Sequence, residues 1–343
     1  MTTIPENTHT IAALIDAAHE QRAEPPRPHM GCSQLGHPCE RWLWLSFRWA
    51  VQPTFPGRIL RLFRRGQNEE ATVISDLRAI GLDVRHTGGS QSRVDFGSHV
   101  SGSIDGIIES GVPEAPKKRH VLEIKTHSKK SFDQLEKNGV QKAKFEHWIQ
   151  MQAYMHGTEI DRALYMAVCK DDDRIYTERV RYAPEAAAWA VERGQRIALS
   201  DRMPPPVSTD PSWHQCKFCA AHEFCHSTLL TKHVNCRTCA HSTAKPDSTW
   251  RCERHDADAI PSDFQRQGCD SHVLHPDLVP WQVMEGPDEW TAIYMIDGKP
   301  VTNGEPRQGV FTSREILANP QACAHSDPFV SEMRGKFGGR IVG

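Results

Sequence analysis

One stretch of the chain, Ser101–Lys125, limits the fold most strongly, because it combines a hairpin pattern with regularly placed charged residues. Residues 121–125 alternate apolar and polar side chains and follow a turn segment rich in proline and glycine, which predicts a half-buried strand. Residues 102–108 are predicted to be a second short strand, with Asp105 just before a glycine. An antiparallel pairing of the two strands would bring Asp105 beside Glu123.

Two acidic residues and a lysine on this hairpin indicate a metal-dependent hydrolytic site. Glu123 and Lys125 are two residues apart on one strand, so their side chains share a face. The carboxylates of Asp105 and Glu123 are hard oxygen ligands suited to a divalent cation, whose bound water would lie beside Lys125. Such a cation lowers the pKa of the water and stabilises charge on a phosphodiester oxygen. The competing interpretation is an ordinary polar face on a hairpin.

The charge balance decides how the chain could contact nucleic acid. A formal net charge of -2 over 343 residues argues against a uniformly basic binding surface. Two local basic clusters are candidate DNA contacts, with a solvated face as the alternative. They are Arg58, Arg61, Arg64 and Arg65 in one segment, and Lys117, Lys118, Arg119, Lys129 and Lys130 around the hairpin. The sequence has no apolar run long enough to cross a bilayer and no signal-peptide pattern, which predicts a cytoplasmic protein without a membrane partner.

Hydrophobic spacing predicts the elements around the hairpin. They are helices over 10–22, 59–80, 142–156 and 184–199, strands over 162–169 and 174–181, and a lysine-rich connection before the third helix. The second helix carries Glu70, which would aim a carboxylate toward the hairpin, and Glu69 competes for this role. Gln150 and Tyr154 are four residues apart on the third helix and therefore share one face.

Four short motifs occur in a fixed order along these elements. They are Gly66-x3-Glu70, Asp105-Gly, Glu123-Ile-Lys125 and Gln150-x3-Tyr154. In this order, residues 32–226 resemble the RecB-like branch of the PD-(D/E)xK nuclease superfamily. The resemblance implies an α/β fold of the restriction-endonuclease type, with a mixed central sheet flanked by helices. It also implies that Asp105, Glu123 and the Ile124 carbonyl bind Mg²⁺ or Mn²⁺, with Glu70 assisting directly or through water.

The resemblance also implies an activity and the roles of three further residues. Lys125 would position or polarise the attacking water, and Gln150 and Tyr154 would support the site and the DNA strand. The implied activity is exonuclease cleavage of linear DNA by a metal-bound water, in phage or bacterial recombination, repair or end processing. A helicase, a single-strand annealing protein or a recombination protein is a candidate partner, in the host cytoplasm if the protein is phage-encoded. A non-catalytic DNA-binding adaptor and a site-specific endonuclease are the alternatives.

Eleven cysteines in a reducing compartment indicate metal binding rather than disulfides. Cys216, Cys219 and Cys225 lie at the end of the segment just described, and Cys39 lies near its start. This one-plus-three arrangement resembles the iron-sulfur nucleases of the same branch, in which four thiolates hold a [4Fe-4S] cluster. Zinc is the alternative metal, since four cysteines also satisfy it. Cys32 is the competing first ligand.

A second group of cysteines predicts a separate small zinc module. Its expected ligands are Cys236, Cys239, Cys252 and Cys269. The spacing after Cys252 is loose, so His255 or His272 could replace one thiolate. Because the surrounding sequence has few apolar residues, a metal would supply much of the folding free energy of this module.

These expectations divide the chain into four segments. Residues 1–30 are an N-terminal helix and linker, and residues 31–230 are the nuclease domain, whose two ends the iron-sulfur cluster would close. Residues 231–280 are the zinc module, and residues 281–343 are a small C-terminal α+β segment. Strands are expected over 291–296 and 309–312 in the last segment, for which the sequence indicates no role.

Overall fold

The computed structural model describes residues 10–342; residues 1–9, part of the predicted N-terminal segment, and Gly343 lie outside the described residues. The α-helices are α1 (Ile11–Gln21), α2 (Glu40–Phe47), α3 (Gly57–Ala79), α4 (Lys129–Ala143), α5 (Phe145–Thr158), α6 (Pro184–Leu199), α7 (His214–Lys217), α8 (Ser262–Gln267), α9 (Ser313–Ala318), α10 (Pro320–Ala324) and α11 (Pro328–Phe337). The strands are β1 (Met30–Gly31), β2 (Val84–Arg85), β3 (Arg93–Asp95), β4 (Val100–Ser103), β5 (Gly106–Ile108), β6 (His120–His127), β7 (Arg162–Cys169), β8 (Ile175–Arg181), β9 (Ser242–Ala244), β10 (Trp250–Cys252), β11 (Val283–Glu285), β12 (Ala292–Ile296), β13 (Lys299–Asn303) and β14 (Val310–Phe311).

The chain divides into two compact units, each assembled from separate segments. The first unit consists of the residues up to His37, Pro53–Phe96 and Val100–Gly194. The second unit consists of Pro38–Gln52, Gly97–His99 and the residues from Gln195 onward. Helix α2 therefore belongs to the second unit, although α1 and α3 belong to the first.

A five-stranded mixed sheet in the order β2-β5-β6-β7-β8 lies at the centre of the first unit. Strands β6 and β7 pair in parallel, and the other neighbouring pairs are antiparallel. Apolar side chains of β6 and β7 pack with Val73, Ile74 and Leu77 of α3 in one buried cluster. The fold of the unit is mixed α/β, as predicted.

Alternation along β6 sends its side chains into two layers. Leu122 and Ile124 belong to the apolar cluster that includes α3. Glu123, Lys125 and His127 therefore point to the opposite face of the sheet, where α5 packs against β6 and β7. The result is a row of polar side chains on one face of a central strand.

The predicted strand over residues 102–108 is wrong in one respect, because it is interrupted at Asp105. Strand β4 belongs to a separate three-stranded sheet in the order β1-β4-β3, whereas β5 is the neighbour of β6. The antiparallel pairing of β5 with β6, with Gly106 opposite Leu122, agrees with the predicted hairpin. Asp105 therefore lies in a break between two sheets, next to the polar row.

The lysine-rich connection expected after the hairpin is instead helix α4. Its lysines lie on the outer side, while Phe132, Leu135 and Val140 are buried. These apolar residues are the helix signal that the lysines obscured. The path of α4 breaks at Gly139, whose φ of 71° lies in the left-handed region that glycine adopts most easily.

The second unit contains two small sheets, the antiparallel pair β9 and β10 and a sheet in the order β11-β12-β13-β14. Strands β12 and β14 fall within the ranges expected from the sequence, whereas β13 is not predicted because its segment begins Lys-Pro. The apolar residues of this sheet pack with α9 and α10. No helix within residues 10–342 combines the length and apolar character needed to span a bilayer.

Candidate active site

The hairpin brings Asp105, Glu123 and Lys125 together. One oxygen of the Asp105 carboxylate, Oδ2, accepts a hydrogen bond from the backbone N–H of Ile124 at 2.8 Å. Glu123 is 0% exposed and forms an ion pair through Oε1 with the Lys125 ammonium, whose side chain is 26% exposed. The second oxygen, Glu123 Oε2, is buried without a hydrogen-bond partner among the residues that the structure describes. A buried carboxylate oxygen left without a donor is suited to a cation.

Burial and crowding of negative charge set the electrostatics of this site. Burial raises the pKa of Glu123 to about 8; the Lys125 ammonium opposes this rise, and the carboxylates of Asp105 and Glu70 add to it. Burial acts to lower the pKa of Lys125, but the surrounding carboxylates outweigh it, so that this pKa is raised. Three carboxylates share one lysine, and a divalent cation would neutralise the excess negative charge.

Helix α3 supplies Glu70 to this cluster. Its Oε1 accepts a hydrogen bond from Gln91 Nε2 at 2.9 Å. Burial raises the pKa of Glu70, and the charge of Asp105 adds to the rise. Glu70, one of the two glutamates that the sequence leaves open, is thus electrostatically coupled to Asp105. Its contact with Gln91 is not predicted from the sequence.

Gln150 and Tyr154 form a buried pair on α5. Gln150 Nε2 donates to the Tyr154 hydroxyl at 3.1 Å, and the two residues are 5% and 3% exposed. Burial raises the pKa of Tyr154, and the charge of Glu123 adds to the rise, which places the phenol near that carboxylate. Both side chains are thus buried on α5, and their role in supporting the site and the DNA strand stays a prediction.

Tight packing at Gly102 holds this tyrosine in place. A Cβ atom at Gly102 would lie 2.8 Å from Cys32 Sγ and 2.9 Å from Tyr154 Cε1. We expect Gly102→Ala to lower the free energy of unfolding by about 1–3 kcal/mol, because overpacking forces neighbouring atoms to move. Urea unfolding measures this change. Gly89→Ala is the matched control, since a Cβ at Gly89 meets no atom within 4 Å; equal stability of the two variants would contradict the prediction.

The donor chemistry of the carboxylate cluster fits a hard divalent cation. Asp105, Glu123 and Glu70 supply oxygen donors, and the unpartnered Oε2 of Glu123 offers a free lone pair. Within residues 10–342, no group of three or more His, Cys, Asp or Glu side chains is spaced as a formed metal-binding set. The carboxylates are therefore neighbours in the structure rather than a completed coordination sphere.

The first predicted cysteine group lies within the second unit. Burial raises the pKa of Cys216, Cys219 and Cys225, and in each case the charge of Cys39 adds to the rise. This coupling places Cys39 near the other three thiols. Cys32, the competing ligand, belongs to the first unit, where it is 0% exposed beside Gly102.

The second cysteine group also lies within the second unit. The charges of Cys252 and Cys269 act on Cys236, and those of Cys236 and Cys269 act on Cys239, while burial is the largest cause that raises the pKa of both thiols to about 12. All four predicted ligands are therefore electrostatic neighbours.

The two candidate histidine ligands of this group differ in their surroundings. His255 Nε2 lies 3.8 Å from Cys269 Sγ. Both ring nitrogens of His272 are engaged elsewhere, Nε2 with the Thr238 hydroxyl at 3.1 Å and Nδ1 with the Ser313 hydroxyl at 2.7 Å. The contacts favour His255 over His272 as the substitute ligand.

Many cations of the two predicted basic clusters bond within the chain. The pairs include Arg61 with Asp16, Arg65 with the Lys170 carbonyl, Lys118 with Asp161, Arg119 with Glu109, and Lys129 with Asp172. These pairs reduce the charge available for phosphate contacts. The pairing favours the solvated-face alternative for these particular side chains.

Five polar residues that sequence reasoning did not identify form a continuous hydrogen-bonded series, called here the histidine-tyrosine chain. Lys144 Nζ donates to Ser131 Oγ at 2.7 Å, and Ser131 Oγ lies 3.0 Å from His127 Nδ1. The Tyr165 hydroxyl lies 2.9 Å from His127 Nε2 and 2.9 Å from His147 Nδ1. The chain therefore links α4, β6, β7 and α5.

Two spacings in the sequence could have identified the histidines. His127 follows Lys125 by two residues on the same strand, which places both on one face. His147 precedes Gln150 by three residues on the same helix, which again places both on one face. A search for polar residues in register with the four motifs would have found both rings.

Comparison with known proteins gives a family for the chain. The family model described as the PD-(D/E)XK nuclease superfamily matches residues 5–226. No curated protein matches the chain. Among solved structures, the chain is similar to SSO0001, with 15% identity, a TM-score of 0.40 and coverage of 64% of this chain and 97% of that one.

Two exonucleases are also among the similar structures. LHK-Exo, an alkaline exonuclease from Laribacter hongkongensis, matches in its complex with dAMP with 15% identity and a TM-score of 0.36, covering 54% of this chain and 89% of that one. A phage-related exonuclease from Haemophilus somnus 129PT matches with 18% identity and a TM-score of 0.27, covering 39% and 70%. Because the family model matches more than half of the residues, the chain belongs to the PD-(D/E)XK nuclease superfamily.

Proposed function

We propose that the protein is a Mg²⁺- or Mn²⁺-dependent DNA exonuclease. The observation that carries the proposal is the arrangement of Asp105, Glu123 and Lys125 on the hairpin, with one Glu123 oxygen buried and unpartnered. Membership of the superfamily supports the same conclusion. A binding module that only used the fold would not need a buried carboxylate whose pKa is raised to about 8 by burial.

Each site residue has a distinct role in the proposed reaction. Asp105, Glu123 and the Ile124 carbonyl would hold the cation, with Glu70 assisting directly or through water. When bound, the cation would lower the pKa of a coordinated water and stabilise charge on the phosphate. Lys125 would hold the attacking water through its ammonium protons. The water oxygen would form a bond to phosphorus and release a proton to solvent, while the bond to the leaving sugar oxygen breaks and that oxygen takes up a proton, which leaves the enzyme unmodified.

We extend the proposal to the two cysteine groups and to the division of the chain. Cys39, Cys216, Cys219 and Cys225 would hold a [4Fe-4S] cluster, and Cys236, Cys239, Cys252 and Cys269 would hold zinc, with His255 as a substitute ligand. The spacing of the cysteines in the sequence motivates both sites, and the thiols of each group lie near enough to act on one another electrostatically. Residues 31–230 would act as the nuclease domain, 231–280 as the zinc module, and 281–343 as a C-terminal segment.

The proposed substrate is linear DNA in the cytoplasm, with a helicase or an annealing or recombination protein as the candidate partner. Wild-type protein with Mg²⁺ or Mn²⁺ is expected to degrade end-labelled linear DNA and to leave covalently closed circular DNA intact. Cleavage of closed circles would indicate an endonuclease instead.

Asp105→Ala is expected to reduce the rate of DNA degradation by at least about 100-fold, because it removes a carboxylate that would bind the cation. The rate on end-labelled linear DNA measures this loss. Asp76→Ala is the matched control, since Asp76 is an exposed aspartate on α3. Full activity of Asp105→Ala would overturn the catalytic assignment, and DNA binding without hydrolysis by the wild type would support the adaptor alternative.

A further inference from the structure

The histidine-tyrosine chain lies on the same sheet face as the carboxylates. Tyr165 of β7 lies opposite Glu123 of β6 in the strand register, and His127 is two residues after Lys125 on β6, so both share the face of the carboxylates. The ring centroid of His147 lies 5.7 Å from that of His127, and the charge of Lys125 acts on His147. The series that begins at Lys144, the residue between α4 and α5, therefore ends beside the residues of the proposed active site.

Lys144, at one end of the histidine-tyrosine chain, sets the order of donors and acceptors along its hydrogen bonds. An ammonium group can only donate, so Ser131 Oγ accepts from Lys144. His127 Nδ1 is the acceptor within hydrogen-bond distance of the Ser131 hydroxyl, so we assign the Ser131 proton to that bond, and the proton of the ring to Nε2, where it donates to the Tyr165 oxygen. If His127 Nδ1 donated to Ser131 instead, the Ser131 proton would have no acceptor within the histidine-tyrosine chain.

The same direction fixes the tautomer of the last ring. The Tyr165 hydroxyl, having accepted from His127, donates its proton to His147 Nδ1. A neutral His147 must then carry its proton on Nε2. This nitrogen has no hydrogen-bond partner among the described residues, and it is not a fully buried atom. An oriented N–H group is thus available beside Lys125.

We propose that His147 is a substrate-binding residue, whose Nε2–H donates to a non-bridging phosphate oxygen of the DNA strand at the carboxylate site. The inference rests on the proposed nuclease function and assigns a new contact within it. Tyr165, His127, Ser131 and Lys144 are positioning residues that hold the ring and its tautomer. None of these five residues belongs to the motifs that the sequence analysis identified.

The chemistry of the surroundings favours an anionic oxygen as the acceptor. Burial lowers the pKa of His147 to about 3, and the charges of Lys125, His127 and Lys144 contribute, so the ring is neutral at pH 7. A neutral donor flanked by two ammonium groups attracts a phosphate oxygen and does not need to change its protonation state. The DNA backbone supplies such oxygens at every nucleotide.

The test compares two amide side chains that differ in which ring nitrogen of His147 they can replace. His147→Asn retains a polar group near Tyr165 and loses the outer donor, whereas His147→Gln can extend an N–H to the position of Nε2. In an Asp105→Ala background without metal, His147→Asn is expected to weaken binding of a labelled oligonucleotide by about 10- to 100-fold, as measured by fluorescence anisotropy. His147→Gln is expected to restore most of this affinity.

The positioning residues are tested in the active protein. Tyr165→Phe removes the hydroxyl that orients the ring, and it is expected to lower kcat/KM by about 10-fold with little change in Tm. His156→Asn is the matched control for the histidine substitutions, because His156 is exposed on the same helix and contacts the Tyr182 hydroxyl at 2.7 Å. It is expected to change neither affinity nor kcat/KM.

Two outcomes would overturn the role of His147. One is an unchanged DNA affinity of His147→Asn. The other is an equal loss of DNA affinity in His147→Asn and His147→Gln, accompanied by an equal fall in Tm, which would indicate a purely structural network. If the His147 variants do not fold, the affinity of Tyr165→Phe decides, since weakened binding supports the role and unchanged binding refutes it. Absence of DNA hydrolysis by the wild type would refute the nuclease function, while the affinity comparison would still test His147.

Discussion

Glu123→Gln is expected to abolish DNA hydrolysis and, at the same time, to raise the stability of the metal-free protein. The side chain is 0% exposed, and burial raises its pKa to about 8. A folded-state pKa above the ordinary value means that the ionised carboxylate destabilises the folded chain. This cost is complete above about pH 8 and disappears as the pH falls below the ordinary pKa of a glutamate. Glutamine keeps the shape of the side chain and removes the charge.

Thermal unfolding in EDTA at pH 8 measures the stability half of this prediction, and a Tm above that of the wild type is expected. Added Mg²⁺ or Mn²⁺ should raise the Tm of the wild type and have a smaller effect on Glu123→Gln, because a cation stabilises the state that binds it. The nuclease rate should fall by at least about 100-fold. A destabilised variant that still degrades DNA would contradict both halves.

Glu315→Gln is a control in which the Tm is expected to change in the opposite direction to that of Glu123→Gln. Glu315 is 2% exposed, but its carboxylate accepts hydrogen bonds from the Arg334 guanidinium at 3.0 Å and from the Thr312 backbone N–H at 2.9 Å. Burial acts to raise the pKa of Glu315, and these donors outweigh it, so that the pKa is lowered. Its contribution to stability is present at neutral pH and is lost on acidification. Replacement by glutamine should therefore lower the Tm, with no change in nuclease rate.

The comparison of these glutamates shows what the sequence could and could not predict. Alternation in residues 121–125 correctly predicted a strand, and spacing alone placed Glu123 and Lys125 on one face. No local pattern gives the depth at which a side chain is buried, because burial depends on the packing of α5 and β7 against the strand. The sequence therefore indicated a carboxylate at this position and gave no information about its raised pKa.

The predictions that are wrong or missing also depend on tertiary structure, which no local sequence pattern gives. The sequence pattern places Asp105 in the interior of a strand, but Asp105 lies where the chain leaves one sheet and enters another. The four lysines of α4 favour a connection in the sequence, although Phe132 and Leu135 are buried in the helix. The histidine-tyrosine chain joins residues from four elements, so no single motif contains it.

Metal loss from the second cysteine group is expected to have the largest effect on stability. Cys239 is 7% exposed, and burial is the main cause that raises its pKa to about 12, so without a metal this buried thiol stays protonated and uncoordinated. A structural zinc site contributes about 10–16 kcal/mol to folding, which is as large as the whole stability of a typical domain, about 5–15 kcal/mol. Cys239→Ser should therefore unfold the segment around β9 and β10.

Metal analysis of anaerobically purified protein tests this expectation directly. The wild type should contain iron and sulfide together with about one zinc per chain. Cys239→Ser should lose the zinc and retain the iron, whereas Cys219→Ser should lose iron and sulfide and retain the zinc. Cys323→Ser is the control, because Cys323 is 3% exposed within an apolar cluster and belongs to neither predicted group. Zinc in place of iron would refute the iron-sulfur cluster, and a metal-free wild type with the same Tm as Cys239→Ser would refute both sites.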